Sequence, residues 1–413
     1  MPSTTSSQPR IITVDSLRGF ALLGILAAHF IYWYSGGELP QSVYEKFNDA
    51  GSIIAASFSG IFITGKFFTF FSFLFGLSFY LQMQSLQKKD ENFVVRYLWR
   101  LIILGIIGLI HHALWRGDIL SIYVPLGFVL LLARNISDRL LLILALLLLL
   151  NIPVRIIDIV NYFIHTPQVS AAPVLPVSDG AARYYDIIKQ GTFGAMIRDN
   201  WKALAAKFDF QFSSGRIYIT LGFFMSGTYV GRKKWFENPS ISKPIIKRLC
   251  KNSGWVSVGI ILFSIALFTL NAALKWGIEN NRYVQFVFSL LYDTANASLT
   301  VFYLSGLTLL MYRLRWQKVL YPLAPVGKMA LTVYLSQTFF GLLLFYHFGL
   351  GLFEKTSPGI NLLLIIPVFA IQVYVCRLWL KFFHYGPVEW LWRSLTFFKW
   401  YPFIKKNNIE ILE

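Results

Sequence analysis

Apolar stretches long enough to cross a bilayer recur from one end of this chain to the other. Nothing else in the sequence constrains its fold as strongly. A helix needs about 20 consecutive apolar residues to span a hydrocarbon core about 30 Å thick. Within that core each backbone N–H and C=O must be bonded inside the protein, which leaves bundled helices as the way to fold such stretches. Hydropathy predicts ten spans: Ile11–Trp33, Lys66–Met83, Tyr97–Trp115, Ile119–Ala133, Leu140–Val160, Arg216–Gly231, Trp255–Leu274, Val284–Tyr312, Met329–Phe348 and Leu362–Phe383. The fourth and sixth are short. Ser52–Thr64 is too short and too rich in Ser and Gly for a span, and suits an interfacial or re-entrant helix. Of the 413 residues 56% are hydrophobic and 14% charged, whereas a soluble domain carries about 25% charge. The expectation is all-α: a polytopic transmembrane helical bundle.

The net charge is +18, but the excess sits in short loops rather than in a basic, aromatic-interleaved domain. That is the positive-inside bias, and no nucleic-acid partner is expected. Lys88, Lys89, Arg96 and Arg100 follow the second predicted span, and Arg134 and Arg139 the fourth. Arg232, Lys233, Lys234, Lys243, Lys247, Arg248 and Lys251 follow the sixth, and Arg313, Arg315 and Lys318 the eighth. Arg393, Lys399, Lys405 and Lys406 lie in the tail. All follow even-numbered spans, so both termini are expected in the cytoplasm. The Ser/Thr-rich start has Arg10 as its one basic residue and reads as the lead-in to a retained signal anchor. Cys250 and Cys376 both fall on the cytoplasmic side, which argues against a disulfide.

Three regions are expected: a membrane half over residues 1–160, an outer loop or lid over 161–215, and a second half with a cytoplasmic tail over 216–413. The loop begins Pro-rich and turns amphipathic. Tyr184, Tyr185, Ile188, Phe193, Met196, Ile197, Trp201, Leu204 and Phe208 recur at helical spacing, fitting helices on the outer face or over a site.

Ionisable residues inside spans are costly and mark functional candidates. Asp15 and Arg18 lie near the inner end of the first span, one turn apart and able to pair; the pair is either a structural clamp or part of a site. His29, His111, His112, Asp118 and His347 lie near the outer end, with Lys66 opening the second span on the same side. Asp293 and Asn296 lie deeper, in the eighth. His111 and His112 point about 100° apart, so at most one faces a given site. Asp118 either caps the fourth span or orients a histidine. His165, His347 and His384 carry no context that raises them above a structural role.

No metal-ligand spacing, phosphate-binding loop, nucleophile elbow or dinucleotide fingerprint is present. A histidine beside a carboxylate in a pocket of low dielectric suits general-base activation of a hydroxyl or amine. A buried arginine on the inner side suits an anion such as phosphate.

Six motifs carry a family likeness. They are Asp15-Ser-Leu-Arg18-Gly-Phe-Ala-Leu-Leu-Gly24, Lys66-Phe-Phe-Thr-Phe-Phe-Ser-Phe-Leu-Phe-Gly76 and Gly108-Leu-Ile-His111-His-Ala-Leu-Trp-Arg-Gly117-Asp118. They continue with Gly227-Thr-Tyr-Val-Gly231-Arg232, Gly327-Lys-Met-Ala-Leu-Thr-Val-Tyr-Leu-Ser-Gln337 and Tyr385-Gly-Pro387-Val-Glu389-Trp390-Leu-Trp-Arg393-Ser-Leu-Thr396. In this order they resemble the YeiB-like family of bacterial multi-pass membrane proteins, a domain of unknown function. That family is distantly similar to the type-three sugar O-acyltransferases and to heparan-glucosaminide N-acetyltransferase. The type-three pattern of an arginine, ten residues and a histidine is matched by Arg18 and His29. The YeiB-like pattern, which often has asparagine at the position of His29, is matched by His111 and Asp118.

The resemblance implies a protein of the bacterial cytoplasmic membrane that moves an acyl group from cytoplasmic acyl-CoA to a hydroxyl or amine at the outer face. The acceptor would be a glycan, a lipid or a small molecule. His29, His111 and Asp118 are the catalytic candidates; Arg18, Asp15, Lys66, Asp293 and His112 are the substrate-binding ones, and no metal is expected. The alternative is a proton-coupled transporter of a small solute or lipid, relaying protons through the intramembrane Asp and His residues.

Overall fold

The computed structural model describes residues 11–37, 39–87, 92–164, 179–278 and 281–405. Lys88, Lys89, His165 and Lys406, weighed above, lie outside the described residues. Nineteen α-helices follow in chain order among the described residues. They are α1 (Ile12–Phe30), α2 (Gln41–Lys46), α3 (Ala50–Phe62), α4 (Phe67–Gln87), α5 (Phe93–Leu114), α6 (Leu120–Leu132), α7 (Asp138–Leu149), α8 (Ile152–Ile164), α9 (Asp179–Gln190) and α10 (Phe193–Lys202). There follow α11 (Leu204–Ser213), α12 (Arg216–Arg232), α13 (Pro239–Leu274), α14 (Arg282–Met311), α15 (Leu314–Leu320), α16 (Ala324–Lys328), α17 (Ala330–Phe345), α18 (Pro358–Phe382) and α19 (Pro387–Phe397). The fold is an all-α bundle, and each predicted span coincides with a helix or, at α7–α8, with two.

Six segments are long and apolar enough to cross a membrane singly, or up to eight if two bent helix pairs each count as one span. The expected ten is therefore reached only by adding α6 and α12. α6 is a short apolar helix. α12 has only 17 residues, and most of its face is buried against α4 and α7. An enclosed helix touches protein rather than lipid, so its sequence need not be apolar all round. Ser52–Thr64 forms most of α3, which runs on into α4 so that Ala50–Gln87 counts as one apolar segment of 38 residues.

Close backbone approach sets the centre of the bundle. A Cβ on Gly227 would stand 2.0 Å from the Phe73 carbonyl oxygen, and one on Gly76 would stand 1.9 Å from that of Phe224. Lipid tails are as apolar as leucine, so helices in a membrane gain by packing contact, and small residues permit it. α1 is mostly buried and packs on α4, α16, α17 and α18, joining the two ends of the chain. α13, by contrast, packs against α14 and is otherwise open, with Ser257 and Ser298 bonded at 2.9 Å between them.

Two breaks are built by polar residues. Between α7 and α8 the axis turns by 51°. Asn151 there takes a left-handed conformation (φ 56°), and its amide donates to Asp293 at 3.1 Å. Between α16 and α17 the turn is 85°. The first N–H groups of α17 have no helical partner, and the Glu389 carboxylate of α19 accepts them from Leu331 (2.6 Å) and Thr332 (3.0 Å). Negative charge at a helix N-terminus is also favoured by the macrodipole. That cap fixes α17, which carries part of the site described next.

Candidate functional site

α1, α5, α16 and α19 each bring a cationic side chain to one region of the bundle. A cavity of about 330 Å³ opens there, lined at its mouth by Arg18, Arg100, Lys328 and Arg393. One carboxylate, Glu389, shares that mouth, and its oxygens are taken up by Leu331, Thr332 and the Thr332 hydroxyl (2.5 Å). Burial raises the Glu389 carboxyl above its ordinary value, against the pull of those hydrogen bonds. Arg18 pairs with Asp15 at 2.7 Å and donates to Ser78 at 2.7 Å. Arg100 makes no hydrogen bond through its guanidinium among the described residues. It lies 3.5 Å from the centre of the Trp392 ring instead. The Tyr97 hydroxyl, also on the cavity wall, is buried without a hydrogen-bond partner, and so is Arg393 Nε. Concentrated cations and unpartnered polar groups in one hollow suit an anion with several oxygens.

Leu101, Leu104 and Leu331 of α5 and α17 also line the cavity, as do Tyr334, Ile119 and Leu120. Tyr334 accepts the Ile119 N–H at 3.2 Å, and its ring stands 4.9 Å from that of His111. Behind it lies a fully buried hydrogen-bonded chain. His111 Nδ1 is 2.7 Å from Asp118 Oδ1, and His111 Nε2 is 2.7 Å from the Thr338 hydroxyl. Thr338 in turn is 2.9 Å from the Tyr34 hydroxyl.

Asp118 both caps α6 and orients the histidine. Its carboxylate accepts from Leu120 N (3.0 Å) and Ser121 N (2.9 Å) as well as from His111. Lys207, from α11, adds a charge at 3.4 Å and donates to Ser121 at 2.8 Å. Burial pushes the Asp118 carboxyl up, but the His111 bond and the Lys207 charge outweigh it and hold the group below the usual carboxylate range. Burial lowers Lys207, with Asp118 opposing. A charged Asp118 offers only acceptors, so His111 carries its proton on Nδ1 and leaves Nε2 as a base. The polarity of the chain then follows: Thr338 O–H donates to Nε2, and Tyr34 O–H donates to Thr338.

His112 faces away, as its 100° offset requires. Its Nε2 donates to the Asn200 carbonyl at 2.8 Å, and Lys207 donates to its Nδ1 at 3.3 Å. α9, α10 and α11 thus form a cover. Tyr184, Ile188 and Met196 are buried in the main core, and Asp199 holds Arg116 and Arg183 together. Asn200 donates to the Ala113 carbonyl at 3.0 Å.

The side chains of the other candidates make no hydrogen bond to the Asp118–His111–Thr338–Tyr34 chain among the described residues. His29 is half-buried and packs edge-on against Trp115 at 4.6 Å and Tyr34 at 5.4 Å; its imidazole makes no hydrogen bond among the described residues. Lys66 is buried and donates to the Gly60 carbonyl at 2.7 Å. Asp293 is held by Arg155 at 2.6 Å and by Asn151, at the break between α7 and α8. His347 is exposed, and no group of His, Cys, Asp and Glu among the described residues could hold a metal. Cys250 and Cys376 are free thiols. Sequence reasoning missed Thr338, Tyr34 and Lys207; it read Arg100 only as one of the basic loop residues and Glu389 only as part of a motif. Thr338 lies one residue beyond a motif that was noticed, but an uncharged hydroxyl in an apolar helix gives no signal by itself.

A model of a family described as "Protein of unknown function (DUF418)" matches residues 230–399. The chain is 30% identical over 419 residues to "Uncharacterized protein YxaH" of Bacillus subtilis (strain 168), covering 98% of each. It is 28% identical to an "Uncharacterized 39.9 kDa protein in amylase 3'region" of Bacillus acidopullulyticus, covering 97% of this chain and 98% of that one. To "Uncharacterized protein YeiB" of Escherichia coli (strain K12) it is 29% identical, covering 97% and 99%.

Proposed function

The chain belongs to the YeiB-like DUF418 family of bacterial membrane proteins, and from that premise we propose that it is an acyltransferase of the cytoplasmic membrane. It takes an acyl group from acyl-CoA on the cytoplasmic side and delivers it to a hydroxyl or amine on the other. The observation that carries this reading is the cavity: it holds four cations and a largely apolar lining, and one of its lining residues, Tyr334, stands against an oriented histidine. Arg100, Arg393, Lys328 and Arg18 bind the phosphates of coenzyme A. The thioester arm follows the apolar lining, and the Tyr334 ring has to turn aside for the carbonyl to meet His111. His111 Nε2 removes the proton of the attacking group, and Asp118 keeps the tautomer and steadies the imidazolium that forms. The cover of α9–α11 keeps bulk water from the imidazole, which protects an activated acyl group from hydrolysis.

Of the two candidate bases, His29 and His111, this reading takes His111, because His29 has no carboxylate to orient it. A proton-coupled transporter draws less support: Asp293, which would join its relay, is tied to Arg155 and Asn151 rather than lining the cavity. The test is release of coenzyme A from labelled acetyl-CoA by purified protein in detergent, with and without hydroxyl and amine acceptors. His111→Ala should lower the rate by about 10²–10⁴-fold, the usual range for a lost general base, and His29→Ala by far less. Full turnover in both variants would overturn the mechanism.

A further inference from the structure

We propose that Thr338 is the first acceptor of the acyl group, so that transfer runs through an acyl-threonine ester. The inference rests on the acyltransferase reading and deepens it. Asp118, His111 and Thr338 form a carboxylate–imidazole–hydroxyl chain with both contacts at 2.7 Å. Nucleophilic catalysis needs a hydroxyl bonded to a base that a third group orients. The polarity also fits. Asp118 fixes the proton on His111 Nδ1, so the Thr338 proton points at Nε2, the atom that must receive it. Tyr34 donates to the other side of the same oxygen. A merely structural threonine in an apolar helix bonds back to a carbonyl four residues earlier, as Thr220, Thr294 and Thr308 do here. Thr338 turns to His111 instead.

Two hollows lie near this hydroxyl. Tyr334, one turn earlier on the same face of α17, lines the cationic cavity. On the other side Thr338 and His111 border a second hollow of about 540 Å³, otherwise walled by apolar residues such as Ile107, Ile110, Leu335 and Leu342. That hollow gives the acyl chain of the ester a place outside the coenzyme A path.

The step balances without any other reactant. Thr338 Oγ attacks the thioester carbonyl as its proton passes to His111 Nε2. The carbon–sulfur bond breaks, and the departing sulfur takes that proton to leave as coenzyme A thiol. In the second half the acceptor gives its proton to His111 and attacks the ester carbon. The bond to Thr338 Oγ breaks, and the proton returns to that oxygen.

The experiment mixes purified full-length protein with acetyl-CoA or palmitoyl-CoA without acceptor, quenches in acid, and maps acylated peptides by mass spectrometry. The expected result is one acyl group on the peptide containing Thr338, removed by hydroxylamine, with a burst of coenzyme A near one per protein. Thr338→Ser should keep the adduct; Thr338→Val and His111→Ala should lose it. Coenzyme A released steadily with no adduct on wild-type protein, or an adduct on another residue, would overturn Thr338 as acceptor and leave the acyltransferase reading standing. No thioester cleavage under any condition would remove both. The wild-type map decides even if a variant fails to fold.

Discussion

Replacing Lys207 with methionine tests the link between the cover and the site. Its ammonium lies 3.4 Å from Asp118 Oδ2, with side-chain exposures of 10% and 0%. Two unit charges at that separation, in an effective dielectric of about 20, attract by about 5 kcal/mol. Removing one partner of a buried pair costs about 3–5 kcal/mol, because the other charge is left uncompensated. Asp118 keeps two backbone N–H donors and His111, so the lower end, about 3 kcal/mol, is expected for Lys207→Met. Adding Asp118→Asn removes the stranded charge. The loss in the double variant should therefore be at least about 1.5 kcal/mol smaller than the sum of the two single losses. The assay is reversible unfolding in mixed detergent micelles, read as a double-mutant cycle over the four proteins. Additivity within about 0.5 kcal/mol would refute the coupling, and with it the idea that α11 helps hold Asp118 charged. The same four proteins separate stability from chemistry. Lys207→Met should keep measurable thioester cleavage, whereas Asp118→Asn should lose it by up to about 10⁴-fold through the wrong imidazole tautomer.

Arg100→Gln should weaken coenzyme A binding by about tenfold or more, since a desolvated charge contact is worth about 1.5–3 kcal/mol; isothermal titration in detergent checks it, and unchanged affinity would count against the phosphate site. Gly227→Ala places a methyl carbon 2.0 Å from a backbone oxygen and should cost at least about 1–3 kcal/mol by forcing α4 from α12, seen as a lower melting temperature. For Glu389 the folded carboxyl is raised above 4.5 by burial. Its contribution to stability is then complete below about 4.5 and declines as pH rises through the folded value. Wild-type melting temperature should fall with rising pH over that window, and Glu389→Gln should flatten this part of the profile; identical slopes would refute the assignment.

Much of the helical inventory was legible because hydropathy over about 20 residues is a local property. α6, α12 and the bent α7–α8 all fall where apolar runs predicted them. The number that span was less legible, since α12 is protected by its neighbours and α7–α8 breaks at Asn151 under the pull of Asp293. The site was partly legible too. His111 and Asp118 lie seven residues apart, across one turn, and their pairing is local. The 100° offset also accounts for the different hydrogen-bond partners of His111 and His112.

The sequence by itself determined an α-helical membrane bundle and an aspartate able to reach a histidine across a short turn. Those follow from backbone hydrogen bonding in lipid and from helix geometry. Tertiary structure decided what faces the histidine. Thr338 lies 227 positions from His111 and Lys207 lies 89 from Asp118, and neither spacing encodes contact. It also decided that His29, despite its suggestive distance from Arg18, packs on aromatic rings rather than on a carboxylate. Side chains far apart in the chain meet only once the helices are packed. Close glycine contacts and polar caps such as Glu389 fix that packing, and hydropathy does not record them.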